Sequence, residues 1–222
     1  ADDAAVLAQA ARQPHLPVRS FGRAEAADVR LLQTEASAEG GQDLVFELHG
    51  QRLKAHLPIN GAHNAVNAMA AVALVTSRPD LVQVSAQQVC AGLEAASVPG
   101  GRLALRRLGS NWVLDDCYNA NRASMQAALQ TSVAQAKAKG TKVVALLGEM
   151  RELGDYSVRE HAEVGRAAAD LGVHAVAAFG ALAEPMADAA LAGGIEAHHE
   201  ADDEAALFRW AQGYIEDGDI IL

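Results

Sequence analysis

The sequence predicts an α/β fold in which a small sheet-and-helix segment precedes a mostly parallel, doubly wound sheet. Three observations carry that prediction. Beyond residue 103, strand-like and helix-like stretches alternate with short loops, as they must when each parallel strand returns through a helical crossover. Runs such as Val143-Val144-Ala145-Leu146-Leu147 and Ala175-Val176-Ala177-Ala178-Phe179 are apolar at consecutive positions, as in strands covered on both faces. Between the two regions, residues 97–102 (SVPGGR) place a proline and two glycines after a helical pattern and before a strand pattern, which sets a domain break between 1–98 and 99–222.

Taken in order, residues 18–22, 28–35, 43–50 and 51–58 read as strands of a small antiparallel meander. In the third of them Leu44, Phe46 and Leu48 alternate with polar neighbours. At Asn60-Gly61 the period changes, and residues 63–78 are alanine-rich with helical spacing until Pro79. Residues 85–96 repeat the helical signal, with Ser85 as N-cap and Gln88 at capping-box spacing. Past the break, strands are expected at 103–108, 112–117, 142–148, 174–180, 195–199 and 219–222, and helices at 122–140, 158–172, 181–194 and 202–218. The pattern starts and stops abruptly, which leads us to expect a piece of a longer chain.

Composition narrows the function. With 222 residues and 50% hydrophobic content the chain can bury one large core or two smaller ones. No apolar run approaches the roughly 20 residues that span a bilayer, and the first residues carry Asp2 and Asp3 where a secretory signal would be basic, so a cytoplasmic location is expected. A net charge of −10 with 18 dispersed Lys and Arg argues against general nucleic-acid affinity. Cys90 and Cys117 lack zinc or disulfide spacing, and His161, His198 and His199 form no complete ligand set; they read as solvated or core-edge histidines. No phosphate-binding Gly-x-x-x-x-Gly-Lys-Ser/Thr loop, Gly-x-Ser-x-Gly or His-Glu-x-x-His is present.

Several stretches could carry chemistry. Asp115-Asp116-Cys117-Tyr118-Asn119-Ala120-Asn121 sits where a strand ends and a helix begins, the place where open parallel sheets bind ligands. Its carboxylates can accept from ribose hydroxyls and its amides can donate to carbonyl or phosphate oxygens; equally, Asn121 can simply cap the helix and the aspartates form a turn. Gly148-Glu149-Met150-Arg151-Glu152-Leu153-Gly154 and Gly180 occupy the equivalent edge of the next two strands, either as site loops or as glycine-bounded turns. His63 and Asn67 lie one helical turn apart with Asn64 beside them, able to meet an adenine edge or merely to open a helix. Arg102 is either a salt-bridge partner or a ligand hook.

In this order and spacing, Asn60 to Ala68, Gly100-Gly101-Arg102, Asp115 to Asn121 with Ser124-Met125, Gly148-Glu149-Met150 with Glu152-Leu153-Gly154, and His161 resemble the Mur ligase family, in particular its members that add D-alanyl-D-alanine. The resemblance implies the end of a central ATPase domain followed by a Rossmann-like domain. It implies ATP and Mg2+ as cofactors, with the phosphate loop, the magnesium ligands and a Lys-Gly-Ser-Arg segment outside this chain. It further implies UDP-N-acetylmuramoyl-tripeptide and D-alanyl-D-alanine as substrates, a monomer, and no nucleic-acid partner. Asn67 would contact adenine with His63 and Asn64 lining the pocket. Arg102 and Asp116 would hold the ribose, and Asn119 and Asn121 would face the reaction centre or the dipeptide. Cys117 and Arg122 depart from the family pattern at positions given no ligand. Two other readings stand beside this one: a sister ligase for diaminopimelate, lysine or glutamate, and a non-catalytic binding module. The chain alone is expected to be inactive in ATP hydrolysis and peptide-bond formation.

Overall fold

A computed structural model of the protein describes residues 1–80, 82–97 and 100–222. The chain divides into two compact units, Ala1–Ser97 and Val98–Leu222. The break expected at 98/99 falls on residues outside the described ones.

The first unit is built on a four-stranded sheet in the order β1 (Phe21–Gly22), β2 (Val29–Ala36), β3 (Gln42–Leu48), β4 (Gln51–Leu57). The alternation in β3 does what the sequence implied: Leu44, Phe46 and Leu48 are buried against α2 (Ala62–Val75) and α3 (Ala86–Glu94), with Leu31, Leu57, Met69 and Val72 in the same core. The capping box of Ser85 and Gln88 forms at the start of α3. Two details differ from the expected meander. β1 runs parallel to β2, because the connecting segment loops over the edge instead of reversing: Asp2 accepts the Arg23 and Ala24 N–H groups, and Asp28 accepts from Ser20. A helix α1 (Ala4–Ala11) precedes the sheet, nucleated by Asp3, whose carboxylate accepts the Ala5 and Val6 N–H groups.

The second unit is a six-stranded sheet in the order β5 (Ala104–Leu108), β6 (Asn111–Asp115), β10 (Ile220–Ile221), β7 (Val143–Gly148), β8 (Ala175–Phe179), β9 (Glu196–Glu200). Only the β5–β6 hairpin is antiparallel. Helices α4 (Arg122–Lys139), α5 (Ser157–Asp170) and α6 (Glu184–Ala192) cover one face and α7 (Glu204–Gln212) the other. The consecutive apolar runs follow directly from this sandwich. Val143, Ala145 and Leu147 of β7 belong to the α4–α6 core, whereas Val144 lies with Leu207 and Ala211 of α7, since successive side chains leave a strand on opposite faces. The last strand enters between β6 and β7, with Ile220 opposite both Trp112 and Val143. Helices α6 and α7 are shorter than their apolar patterns suggested, because Ala183 and Asp203 cap them late and Gly193 and Gly213 end them early.

Candidate functional site

The carboxyl ends of β6, β7 and β8 lie side by side along one edge of the second unit, which brings three of the singled-out loops together. Residues 115–121 leave β6, residues 148–154 leave β7 and Gly180 follows β8. Between the first two lies a crevice of about 490 Å³, walled by Asp115, Asp116, Cys117, Asn119, Gly148 and Glu149 over an apolar floor that includes Leu114, Met125 and Leu147.

The loop from β6 is zipped to the GGR segment. The Tyr118 N–H donates to the Gly101 carbonyl at 3.1 Å, and the Leu103 N–H donates to Asp116 Oδ1 at 3.1 Å. To make both contacts the backbone turns left-handed at Gly101 (φ 75°), which glycine accepts freely, and again at Leu103 (φ 55°), which a leucine adopts only when its surroundings hold it. Burial of the Leu103 side chain supplies that hold. The exposed Arg102 then rests its guanidinium over the Tyr118 ring, 4.1 Å from the centroid.

The two adjacent aspartates are electrostatically different. Asp115 accepts from the Cys117 thiol and pairs with Arg106 at 2.5 Å; the thiol bond first, with the Cys117 N–H and Arg106, holds its carboxyl below the usual range. Asp116 is pushed the other way, chiefly by burial and then by the Asp115 charge, against the opposing pull of the Leu103 N–H and Arg102. A half-buried carboxylate with a single backbone donor gains from a ligand that brings hydroxyl donors. Glu149 sits across the crevice, its carboxyl held low first by the Leu182 N–H (3.1 Å) and then by Arg151 (3.0 Å).

Of the amides, Asn119 lines the crevice and its Oδ1 accepts the Ala120 N–H. Asn121 caps α4: its Oδ1 accepts the Ser124 N–H at 2.9 Å while Ser124 Oγ accepts the Asn121 N–H at 3.1 Å. Both of its Nδ2 donors stay clear of the cap. Thus Arg102, Asp116, Asn119 and Asn121 gather within the second unit. His63, Asn64 and Asn67 gather within the first, at the start of α2, where Gly61 (φ 96°) opens the helix with no side-chain cap. Asn64 is tied to its scaffold by Nδ2 donating to the Asn60 carbonyl, and it accepts from Asn67 Nδ2 at 3.2 Å; His63 and Asn67 are exposed.

Sequence reasoning passed over Tyr118, Arg106 and the contacts of Glu149, because each owes its place to a partner from another loop. Gly180 carried a readable signal: at φ 109°, a Cβ there would lie 2.7 Å from Glu149 Oε2, so the glycine makes room for that carboxylate.

Residues 101–222 match the family model described as Mur ligase, glutamate ligase domain, and residues 1–75 match the Mur ligase middle domain. A UDP-N-acetylmuramoyl-tripeptide--D-alanyl-D-alanine ligase from Escherichia coli is 37% identical over 154 residues, covering 69% of this chain and 31% of its own length. The ligase of the same name from Bacillus subtilis is 31% identical over 174 residues, covering 78% and 36%. Among solved structures, MurF from Acinetobacter baumannii superposes with a TM-score of 0.79 at 30% identity, covering 100% of this chain and 46% of that one. MurF from Thermotoga maritima in complex with ADP shares the fold, with a TM-score of 0.70 at 23% identity over 91% of this chain and 43% of that one. The chain therefore spans about a third of the curated relatives and under half of the solved ones.

Proposed function

Because this chain belongs to the Mur ligase family, we propose that it is the nucleoside-reading and site-closing part of an ATP-dependent ligase that joins D-alanyl-D-alanine to UDP-N-acetylmuramoyl-tripeptide. The observation that carries this reading is the strand-end edge of the second unit, where Arg102, Asp116 and Asn119 meet around a crevice in a chain whose named relatives share that activity.

In this reading Asn67 meets the adenine, with Asn64 and His63 beside it. Asp116 accepts from a ribose hydroxyl, and Arg102, held by Tyr118, secures the nucleotide on the other side. The tripeptide carboxylate attacks the terminal phosphorus of ATP, forming an acyl phosphate and releasing ADP. The dipeptide amine then adds to the acyl carbon, loses its proton, and the tetrahedral adduct collapses by breaking the C–O bond to phosphate. Asn119 and Asn121 are placed to donate to the oxygen that gains charge in that adduct. Mg2+ would neutralise phosphate charge in the first step. Among the described residues no group of three His, Cys, Asp or Glu side chains gathers to hold a metal, so we assign its ligands elsewhere and route no step through it.

We also read the ligase as a cytoplasmic monomer; among the described residues no helix is long and apolar enough to cross a membrane. The test is an ADP-release assay on the ligase that carries this chain, with D-alanyl-D-alanine set against diaminopimelate and glutamate. Turnover confined to the dipeptide is the expected result, and turnover with an amino acid instead would overturn the assignment. The 222-residue chain by itself should release no ADP.

A further inference from the structure

His161 is fully buried in α5 and has no part in the chemistry above. Its two ring nitrogens face groups of opposite kind. Nδ1 lies 2.8 Å from the Ser157 carbonyl, which can only accept, so Nδ1 carries the proton. Nε2 lies 2.8 Å from the Met150 nitrogen, which can only donate, so Nε2 is bare. The imidazole is therefore neutral, in one tautomer, and spans from a helix to a loop.

The loop it grips borders the crevice. Met150 buries its side chain completely, Glu149 next to it forms the wall, and Glu152 two residues on is left-handed (φ 63°). A backbone of that shape has no ladder to hold its N–H groups, and the His161 acceptor takes the place of one. The crevice lining holds Asp115, Asp116 and Glu149 but no Lys, Arg or His, so it repels phosphates and suits an ammonium group.

We propose that His161 is a positioning residue: its bare Nε2 fixes Met150 and through it the Glu149 carboxylate, so that the crevice binds the ammonium of the incoming dipeptide. The substrate side of this inference rests on the function proposed above. His161→Gln keeps an acceptor oxygen close to the Nε2 position, whereas His161→Leu fills similar space with none. In the ligase that carries this chain, His161→Leu should raise KM for D-alanyl-D-alanine about tenfold, the effect of ~1.4 kcal/mol, and leave KM for ATP within about twofold. His161→Gln should recover most of that loss. On the 222-residue chain, nitrogen-15 spectra should show a bare Nε2, and Met150 amide exchange should be slow in wild type and His161→Gln but fast in His161→Leu.

Equal impairment of both variants at equal folded fraction would reduce His161 to a packing residue, and a rise in both KM values would overturn the crevice assignment. A protonated Nε2 or a fast Met150 amide in wild type would overturn the latch. If the wild-type ligase turns over no dipeptide at all, the proposed function fails, and the imidazole and Met150 spectra still decide whether His161 positions the loop.

Discussion

Asn121 holds two roles that substitution can separate. Its Oδ1 accepts the Ser124 N–H at 2.9 Å and so caps the 18-residue helix α4, while its Nδ2 is proposed to serve the reaction centre. Asn121→Ala removes both. Loss of an N-cap acceptor costs about 1 kcal/mol, which in a unit of this size lowers Tm by about 3–5 °C. Asn121→Asp is nearly isosteric, keeps the acceptor and adds a negative charge at the helix N-terminus, worth about 0.3–1 kcal/mol in favour of the fold. It deletes only the donor. If that donor meets the oxygen that gains charge in the adduct, kcat should fall by about 100-fold or more. Thermal denaturation of the chain and ADP release by the ligase that carries it read the two effects independently. The expected result is an Asn121→Asp protein at least as stable as wild type and nearly inactive, beside an Asn121→Ala protein that is both weaker and inactive. Full turnover in Asn121→Asp would leave Asn121 a cap and nothing more. An unchanged Tm in Asn121→Ala would refute the capping argument.

Other substitutions follow from single contacts. Gly180→Ala combines a left-handed φ of 109° with a Cβ 2.7 Å from Glu149 Oε2, so urea unfolding should show a loss of about 1–2 kcal/mol and the Leu182 amide should exchange faster. Gly165→Ala in α5 gains about 1 kcal/mol of helix propensity but sets a Cβ 2.0 Å from the Met186 carbonyl oxygen; a backbone atom cannot rotate away, so a net loss of about 2 kcal/mol is expected in the same assay. Asp116, with its carboxyl raised by burial, binds protons more tightly folded than unfolded, so its contribution to stability falls as pH rises from the usual carboxylate range through the raised value. Asp116→Asn should therefore be at least as stable as wild type near neutral pH, with the advantage vanishing in acid, while its nucleotide affinity drops; an advantage that grew in acid would contradict the assigned shift.

Much of this was legible in the chain itself. Alternating Leu44, Phe46 and Leu48 fixed the buried face of β3, and the unbroken run 143–147 announced a strand covered on both sides, because side-chain burial follows local periods of two and 3.6 residues. The capping pair Ser85 and Gln88 and the strand-end position of 115–121 were equally local, and so was the motif order that pointed to the family. Helix α1 escaped notice because eight residues with no buried side chain leave no periodic signal, only the cap at Asp3. Helix ends drifted for a related reason: a cap is decided by backbone geometry that an apolar pattern does not encode.

What the tertiary structure alone decided is which loop touches which. That the last strand enters between β6 and β7, that Arg102 stacks on Tyr118, that neighbouring Asp115 and Asp116 are driven in opposite directions, and that His161 grips Met150 all depend on residues brought together by the sheet order. Secondary structure is written in near-neighbour spacing, which one sequence displays. The protonation and orientation of a site residue depend on the dielectric and the hydrogen-bond partners supplied by distant segments, and those exist only once the chain has folded.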